Sequence, residues 1–488
     1  MDRFSTIALL WSLAGLGSLA GLGALVGCEQ PPNNPSEIAA GINQISDPQV
    51  QFVPPEVDSL WTRTSGEDWP AFLGPRADGT SSETGVDPSL WKPHPKLLWQ
   101  VPLGMSYGGP AVAKGRVLQF DRFNEKERLR CLEAESGKEL WSWDDVVDYQ
   151  DSYGYNSGPR CMPIVDGNYV YAYGVTGKLS CVSFADGQTV WQRDLSQEFG
   201  VVQNFFGVAS APLIAGDLLV LMVGGSPEQS QNAGGRLDMV LSNGSAIVAL
   251  DKHDGKLIYK VGDDLASYSS PRTIRVGEKE LGLAFLRSGL LAWNMADGRP
   301  LLNVPWRAKM LESVNAAQPV VDSAQILLSE TYEIGSVLLD ISDLTPREIW
   351  RDGTRRLEQS FRAHWSTPVL IDGHLYGCSG RNQPDCDFRC VRWQDGKVLW
   401  RDRRHQRSSV LSVDGYLIVL FENGELELVR PSTEKYDRVR SVDLSTIMAD
   451  DGAPLLDEPC WAAPVLSHGL MLVRGRSRLL CFDLIPPP

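Results

Sequence analysis

Short apolar runs broken by polar turns fill the chain from about residue 96 onwards, and the runs repeat. One pattern has a small residue, then Gly six positions on, then a bulky apolar residue four further on. It reads Cys131…Gly137…Trp141, and recurs as Cys181…Gly187…Trp191, Ala249…Gly255…Tyr259, Ala292…Gly298…Leu302 and Cys390…Gly396…Trp400. Val337 to Trp350 and Arg430 to Val439 are degenerate copies. Each copy runs from a β-rich segment through a Gly turn into a second β-rich segment, which predicts a hairpin. A second marker has the same period. Pro110, Pro163, Pro212, Pro271, Pro319, Pro368 and Pro464 each precede a short apolar strand, and Ser408-Ser409-Val410-Leu411 is an eighth copy without Pro. Pro suits a strand's first residues because no ladder donor is lost there. The two markers together predict units of four strands, a to d, with strand a starting after the Pro and strands c and d flanking the Gly.

The ends of the repeat are complementary. The last unit stops at Cys481-Phe-Asp-Leu and has no strand d, whereas Lys96-Leu97-Leu98-Trp99-Gln100-Val101 reads as a strand d with no a, b or c before it. A closed ring explains both, and closure limits exposed sheet edges. The expected fold is therefore all-β: an eight-bladed β-propeller of four-stranded blades over residues 96–488, closed by the N-terminal strand completing the last blade. An open solenoid is the rival and would need capping repeats.

Residues 1–28 read as a lipoprotein signal peptide. An apolar stretch from Ile7 to Val26 ends at Leu25-Val26-Gly27-Cys28, which resembles a lipobox with Cys28 as the lipidated residue. An uncleaved membrane helix is the alternative. Residues 29–58 are Pro-rich and polar, a flexible tether, and residues 59–95 are expected to strap across the propeller. These features predict an exported lipoprotein, membrane-anchored through lipid on the periplasmic face, and the resemblance of Cys28-Glu29 to lipoprotein sorting signals implies the outer membrane. A net charge of -15 argues against nucleic acid as a partner. Of the nine cysteines, Cys131, Cys181, Cys390 and Cys481 share one repeat position and read as small buried strand residues. Cys161 and Cys460 are expected on a-strands. Cys378, Cys386 and Cys390 are local enough to bridge, and their disulfide state stays open. With no Cys-x-x-Cys or His-x-x-x-His, no metal site is assigned.

The motif Ala249-Leu-Asp-Lys-His-Asp-Gly-Lys-Leu-Ile-Tyr259 is similar to the docking repeat of pyrroloquinoline quinone (PQQ) propellers. Asp68-Trp-Pro-Ala-Phe-Leu-Gly-Pro-Arg-Ala-Asp-Gly79 and Cys460-Trp-Ala-Ala-Pro-Val-Leu-Ser-His-Gly469 resemble PQQ-binding-like β-propeller repeat proteins. That superfamily holds PQQ-dependent alcohol dehydrogenases and a non-enzymatic lipoprotein of the outer-membrane barrel-assembly machine. The resemblance implies an envelope propeller that binds a ligand or protein as a module or scaffold without catalysis. The alternative it implies is a PQQ-dependent oxidoreductase of the alcohol or sugar dehydrogenase type, with PQQ and calcium as cofactors. Two departures count against the enzyme: no two cysteines are adjacent, and no calcium-ligand set is assignable, although Glu312 and Asn315 share a loop.

Loops from strand d to the next strand a should ring one mouth of the central channel. Their candidate ligand-binding residues are Tyr155, Asn156 and Arg160 after blade one, and Asn204 and Phe206 after blade two. Tyr268, Glu312 and Asn315 come next, then Arg362, His364 and Trp365, and last Trp461. Aromatics beside Arg, Asn, Glu and His suit a small anionic or polar planar ligand, with an envelope protein as the other candidate partner. The structural alternative is that they cap the channel and pair with each other. A polar insertion, Gly224 to Ser245, lengthens blade three and reads as a surface loop.

Overall fold

The computed structural model describes residues 52–151, 153–202, 204–231, 236–403 and 406–487. The expected signal segment with Cys28, the expected tether as far as Gln51, Gln203, and residues 232–235 of the insertion lie outside these. Among the described residues, eight sheets follow one another along the chain, each built on four antiparallel strands. Blade one comprises Ala111–Ala113, Arg116–Phe123, Lys126–Glu133 and Glu139–Val146. The pattern then repeats, with first strands at Ile164–Asp166, Leu213–Ala215, Arg272–Val276, Val320–Asp322, Val369–Ile371, Ser408–Val413 and Val465–Ser467. Each marker proline stands just before its first strand, where its missing N–H costs no ladder bond. Cys161 and Cys460 precede their first strands rather than lying on them, since Met162-Pro163 and Trp461 to Pro464 intervene.

The repeated glycine has two jobs. It closes the turn between the third and fourth strands in the left-handed region, at φ between 68° and 74° for Gly137, Gly187, Gly255, Gly298 and Gly396. It also lets the aromatic ring of the preceding blade lie flat on the turn. A Cβ on Gly187 would stand 2.6 Å from the Trp141 ring, and one on Gly137 2.7 Å from the Trp99 ring. The same ring then hydrogen-bonds across the blade boundary. Trp141 Nε1 donates to Phe184 O at 3.1 Å, Trp191 Nε1 to Lys252 O at 3.2 Å, and Trp350 Nε1 to Trp393 O at 2.7 Å. Apolar side chains fill the space between blades, and Cys131, Cys181, Cys390 and Cys481 are fully buried there.

Blade eight takes its fourth strand from the other end of the repeat. Lys96–Pro102 pairs antiparallel with Arg478–Asp483, with Trp99 opposite Cys481. Trp99 Nε1 donates to Ala134 O of blade one at 2.9 Å. The docking contact therefore joins the last blade to the first.

Segment 52–95 lies on the face where first strands turn into second strands. Trp69 exchanges two backbone bonds with Val112 of blade one, both 2.8 Å, and Val165 N of blade two donates to Pro70 O at 3.0 Å. Thr80–Ser81 pairs in parallel with Ser412 and Val413 of blade seven. Glu83 accepts from His468 N and Gly469 N of blade eight, at 2.7 and 2.6 Å. The last stretch of the expected tether is engaged too. Pro54 and Val57 are buried, and Val57 O accepts from Lys114 Nζ at 3.1 Å.

Candidate functional site

Strand direction decides which loops surround the channel mouth. First and third strands of a blade run one way, second and fourth run back. Loops from fourth to first strands and loops from second to third strands therefore emerge on the same face. Segment 69–80 occupies the other face. A cavity of about 300 Å³ lies between them, with Trp69, Phe72, Leu73 and Gly79 as its floor.

The wall is a chain of aromatic contacts. Tyr107 and Trp461 have ring centroids 4.6 Å apart, Trp461 and Trp365 5.4 Å, and Trp365 and His364 5.1 Å. Tyr332 stands 5.9 Å beyond His364, and on the other side Phe206 lies 5.6 Å from Tyr268. Tyr268 is pinned, because its hydroxyl accepts from Phe205 N and Phe206 N at 3.0 and 2.9 Å.

Three guanidinium groups stand on these rings, in different states. Arg407 lies over Trp365 at 4.8 Å and Trp461 at 5.0 Å, and its Nε donates to Glu422 at 2.8 Å. Arg160 lies over Tyr107 and Phe206, with its Nη2 on Asp151 at 2.7 Å. Arg381 lies 4.8 Å over Tyr332, and its guanidinium has no hydrogen bond or ion pair to another described residue. Among the described residues lining the cavity, Arg381 is therefore the cation with donors to spare. No Asp or Glu is among the cavity's lining residues.

His364 sits between these cations. Burial, then Arg407 and Arg381, push its imidazole down to about 3, so it is neutral near pH 7. Its Nε2 lies 3.4 Å from the Tyr332 hydroxyl, and its buried Nδ1 has no partner among the described residues. Burial pushes the Tyr332 phenol up to about 12, which keeps it a hydroxyl. Among its described residues the site thus offers flat apolar faces, one free guanidinium and one unsatisfied neutral imidazole nitrogen.

Of the residues singled out in the sequence, Tyr155, Arg160, Phe206, Tyr268, His364, Trp365 and Trp461 line this cavity. Five others do not. Arg362, expected to supply donors to a ligand, is buried and donates to Asp385 Oδ1 at 2.7 Å and Asp385 O at 3.2 Å. Asn315 is buried, with Nδ2 on Leu286 O and Trp306 O at 2.8 and 3.1 Å. Asn156 Oδ1 accepts from Gly158 N, and Asn204 Nδ2 donates to Ala266 O. Glu312 is exposed outside the lining. Glu312 and Asn315 are thus not brought together at this cavity, and Asn315 Oδ1 is buried with no hydrogen-bond partner among the described residues. Among the described residues, no group of three or more His, Cys, Asp or Glu could hold a metal ion.

Sequence reasoning missed Tyr107, Tyr332, Arg381 and Arg407. Arg407 stands directly before Ser408, where the fourth-to-first loop logic applied to blade seven would have found it. Tyr332 and Arg381 lie on loops between second and third strands, which carry no repeat signature.

These features define an eight-bladed propeller with an aromatic, cationic cavity at one mouth. The family described as outer membrane protein assembly factor BamB matches residues 92–226 and 125–438, more than half of the chain. The chain belongs to that family. Among solved structures it is similar to BamB from Moraxella catarrhalis, at 12% identity and a TM-score of 0.52, covering 79% of this chain and 97% of that one. It is also similar to a europium-containing methanol dehydrogenase, at 11% identity and a TM-score of 0.61, covering 84% of this chain and 90% of that one. Comparison with curated protein sequences returns no match.

Proposed function

We propose that this chain is a cell-envelope propeller that binds a planar or aromatic anion at its channel mouth, as a binding module rather than a catalyst. The observation that carries this reading is the cavity's charge. Its lining has Arg160, Arg381 and Arg407 but no carboxylate, in a chain of net charge -15. Aromatic faces would stack on the ligand's plane, Arg381 would take its carboxylate, and His364 Nδ1 would bond a polar edge. The family description supports an envelope setting and a role beside protein partners. The Leu25 to Cys28 run supports lipid anchoring.

The quinone alternative divides. PQQ is planar and carries carboxylates, so the arginines and aromatic walls suit it. The calcium that accompanies it in the dehydrogenases has no fitting set of His, Cys, Asp or Glu donors among the described residues, and the chain has no adjacent cysteines. Dye-linked alcohol or sugar oxidation on adding PQQ and calcium is the result that would favour the enzyme.

Calorimetric titration with PQQ and with a naphthalene dicarboxylate tests the binding reading. A charge-assisted hydrogen bond contributes roughly 1.5–3 kcal/mol, so Arg381→Ala should weaken binding about 10- to 100-fold. Trp365→Ala should weaken it about 2- to 10-fold through lost stacking. Wild-type affinity in both variants would remove the site from this mouth. Anchoring is tested separately: Cys28→Ser should abolish acyl labelling, since it removes the thiol that would carry the lipid, and should release the chain from the membrane. A variant that stays membrane-bound with an intact N-terminus would make the segment a membrane helix.

A further inference from the structure

Arg381 reaches the cavity on a hairpin whose neck holds two thiols. The flanking strands of blade six are His374–Ser379 and Asp387–Arg392, with Cys378 opposite Phe388 and Ser379 opposite Asp387. Side chains alternate along a strand, so Cys386 shares a face with Phe388 and hence with Cys378, one diagonal step across the neck. The two thiols are near enough to influence each other's protonation, and Cys378 Sγ lies 4.0 Å from Gln406 O. The backbone is drawn tight beside them, since a Cβ on Gly380 would lie 2.4 Å from Asp385 O and 2.9 Å from Cys386 Cα. Both cysteines are buried, at 6% and 3% exposure. Cys390, the third member of the local group, lies opposite Tyr376, further down the ladder.

We propose that Cys378 and Cys386 are a redox pair that closes to a cross-strand disulfide, stapling the root of the hairpin that presents Arg381. The oxidant is another disulfide, such as oxidised glutathione. The Cys378 thiolate attacks one sulfur of it, giving a mixed disulfide and releasing one thiol. The Cys386 thiolate then displaces the second thiol and forms the Cys378–Cys386 bond. Two S–H bonds are lost and one S–S bond forms. The oxidant takes the two electrons and leaves as two thiols carrying the two protons. The neighbouring Cys386 pushes the Cys378 thiol down, which suits it to attack first. Burial pushes Cys131 up to about 12 and Cys390 up to about 11, so these stay thiols.

Peptide mapping decides the matter. Trypsin cuts after Arg381 and Arg389, which puts Cys378, Cys386 and Cys390 on three separate peptides. The full chain is equilibrated with oxidised glutathione, then alkylated under denaturing conditions and digested. The expected result is one linked pair, Cys378 to Cys386, that separates on reduction, with Cys390 alkylated. In Cys386→Ser, Cys378 should carry glutathione instead. Free, alkylated Cys378 and Cys386 in the wild type, or a link from either to Cys390, would overturn the proposal. The map does not depend on what the cavity binds.

Discussion

Glu127 lies on the third strand of blade one with its carboxylate turned to blade two, where Oε1 accepts from Val175 N at 2.8 Å. It is buried, and desolvation pushes its acid up to about 7 despite that bond. The sign of the pH effect follows. An unfolded Glu titrates near 4.5, so between about 4.5 and 7 the folded state holds the extra proton. Stability from this group is fully present below about 4.5 and falls as pH rises through about 7, by roughly 3 kcal/mol at most. Glu127→Gln should flatten that slope while keeping an acceptor for Val175, and urea unfolding at pH 5 and pH 7.5 measures it. At the candidate site, residue-level reasoning found the aromatic collar because large rings next to strand starts have few places to go. It misassigned Arg362 because one sequence does not reveal that Asp385 lies beside it. It passed over Arg381 for the converse reason: nothing in the sequence marks an arginine as unpaired.

Among the elements, the hairpin with its left-handed glycine is the unit that specifies the ring. Gly187 and Gly167 separate the two demands on such glycines. Both have positive φ, +74° and +57°, but a Cβ at Gly187 meets the Trp141 ring at 2.6 Å whereas one at Gly167 meets nothing within 4 Å. Gly167→Ala should cost about 1 kcal/mol, from backbone strain alone. Gly187→Ala should cost about 2–4 kcal/mol, because overpacking against Trp141 adds to that strain. Thermal or denaturant unfolding of the two variants checks the difference, and equal losses would mean that the ring contact is unimportant. This double constraint is why the blades were legible in sequence: only Gly meets it, so it stands out wherever it recurs. Blade five was faint because its turn uses Leu344 at φ 63° instead. The second-to-third-strand loops were illegible for the opposite reason. They meet no shared constraint, so their residues vary freely, and only strand parity brings Tyr332 and Arg381 to the mouth.

For the whole propeller, the pairing of Lys96–Pro102 with Arg478–Asp483 joins segments far apart in the chain, and Trp99 carries the docking contact on to Gly137 of blade one. One short strand thus completes a blade and seals the boundary between the last blade and the first. Its loss should be felt well beyond its length. Deleting residues 96–101 would bare the ladder edge of Arg478–Asp483, and an unpaired edge is a template for association with another chain. It would also remove the Trp99 ring, which is 8% exposed, and its bond to Ala134 O. The expected outcome is aggregation in size-exclusion chromatography and a broadened, lowered thermal transition. Trp99→Phe separates the two effects. It keeps the strand and most of the ring while losing one hydrogen bond, so it should stay monomeric and lose only about 1 kcal/mol. A deletion variant that remains monomeric with an unchanged melting temperature would mean that segment 52–95 and the blade-to-blade packing hold the ring without this strand.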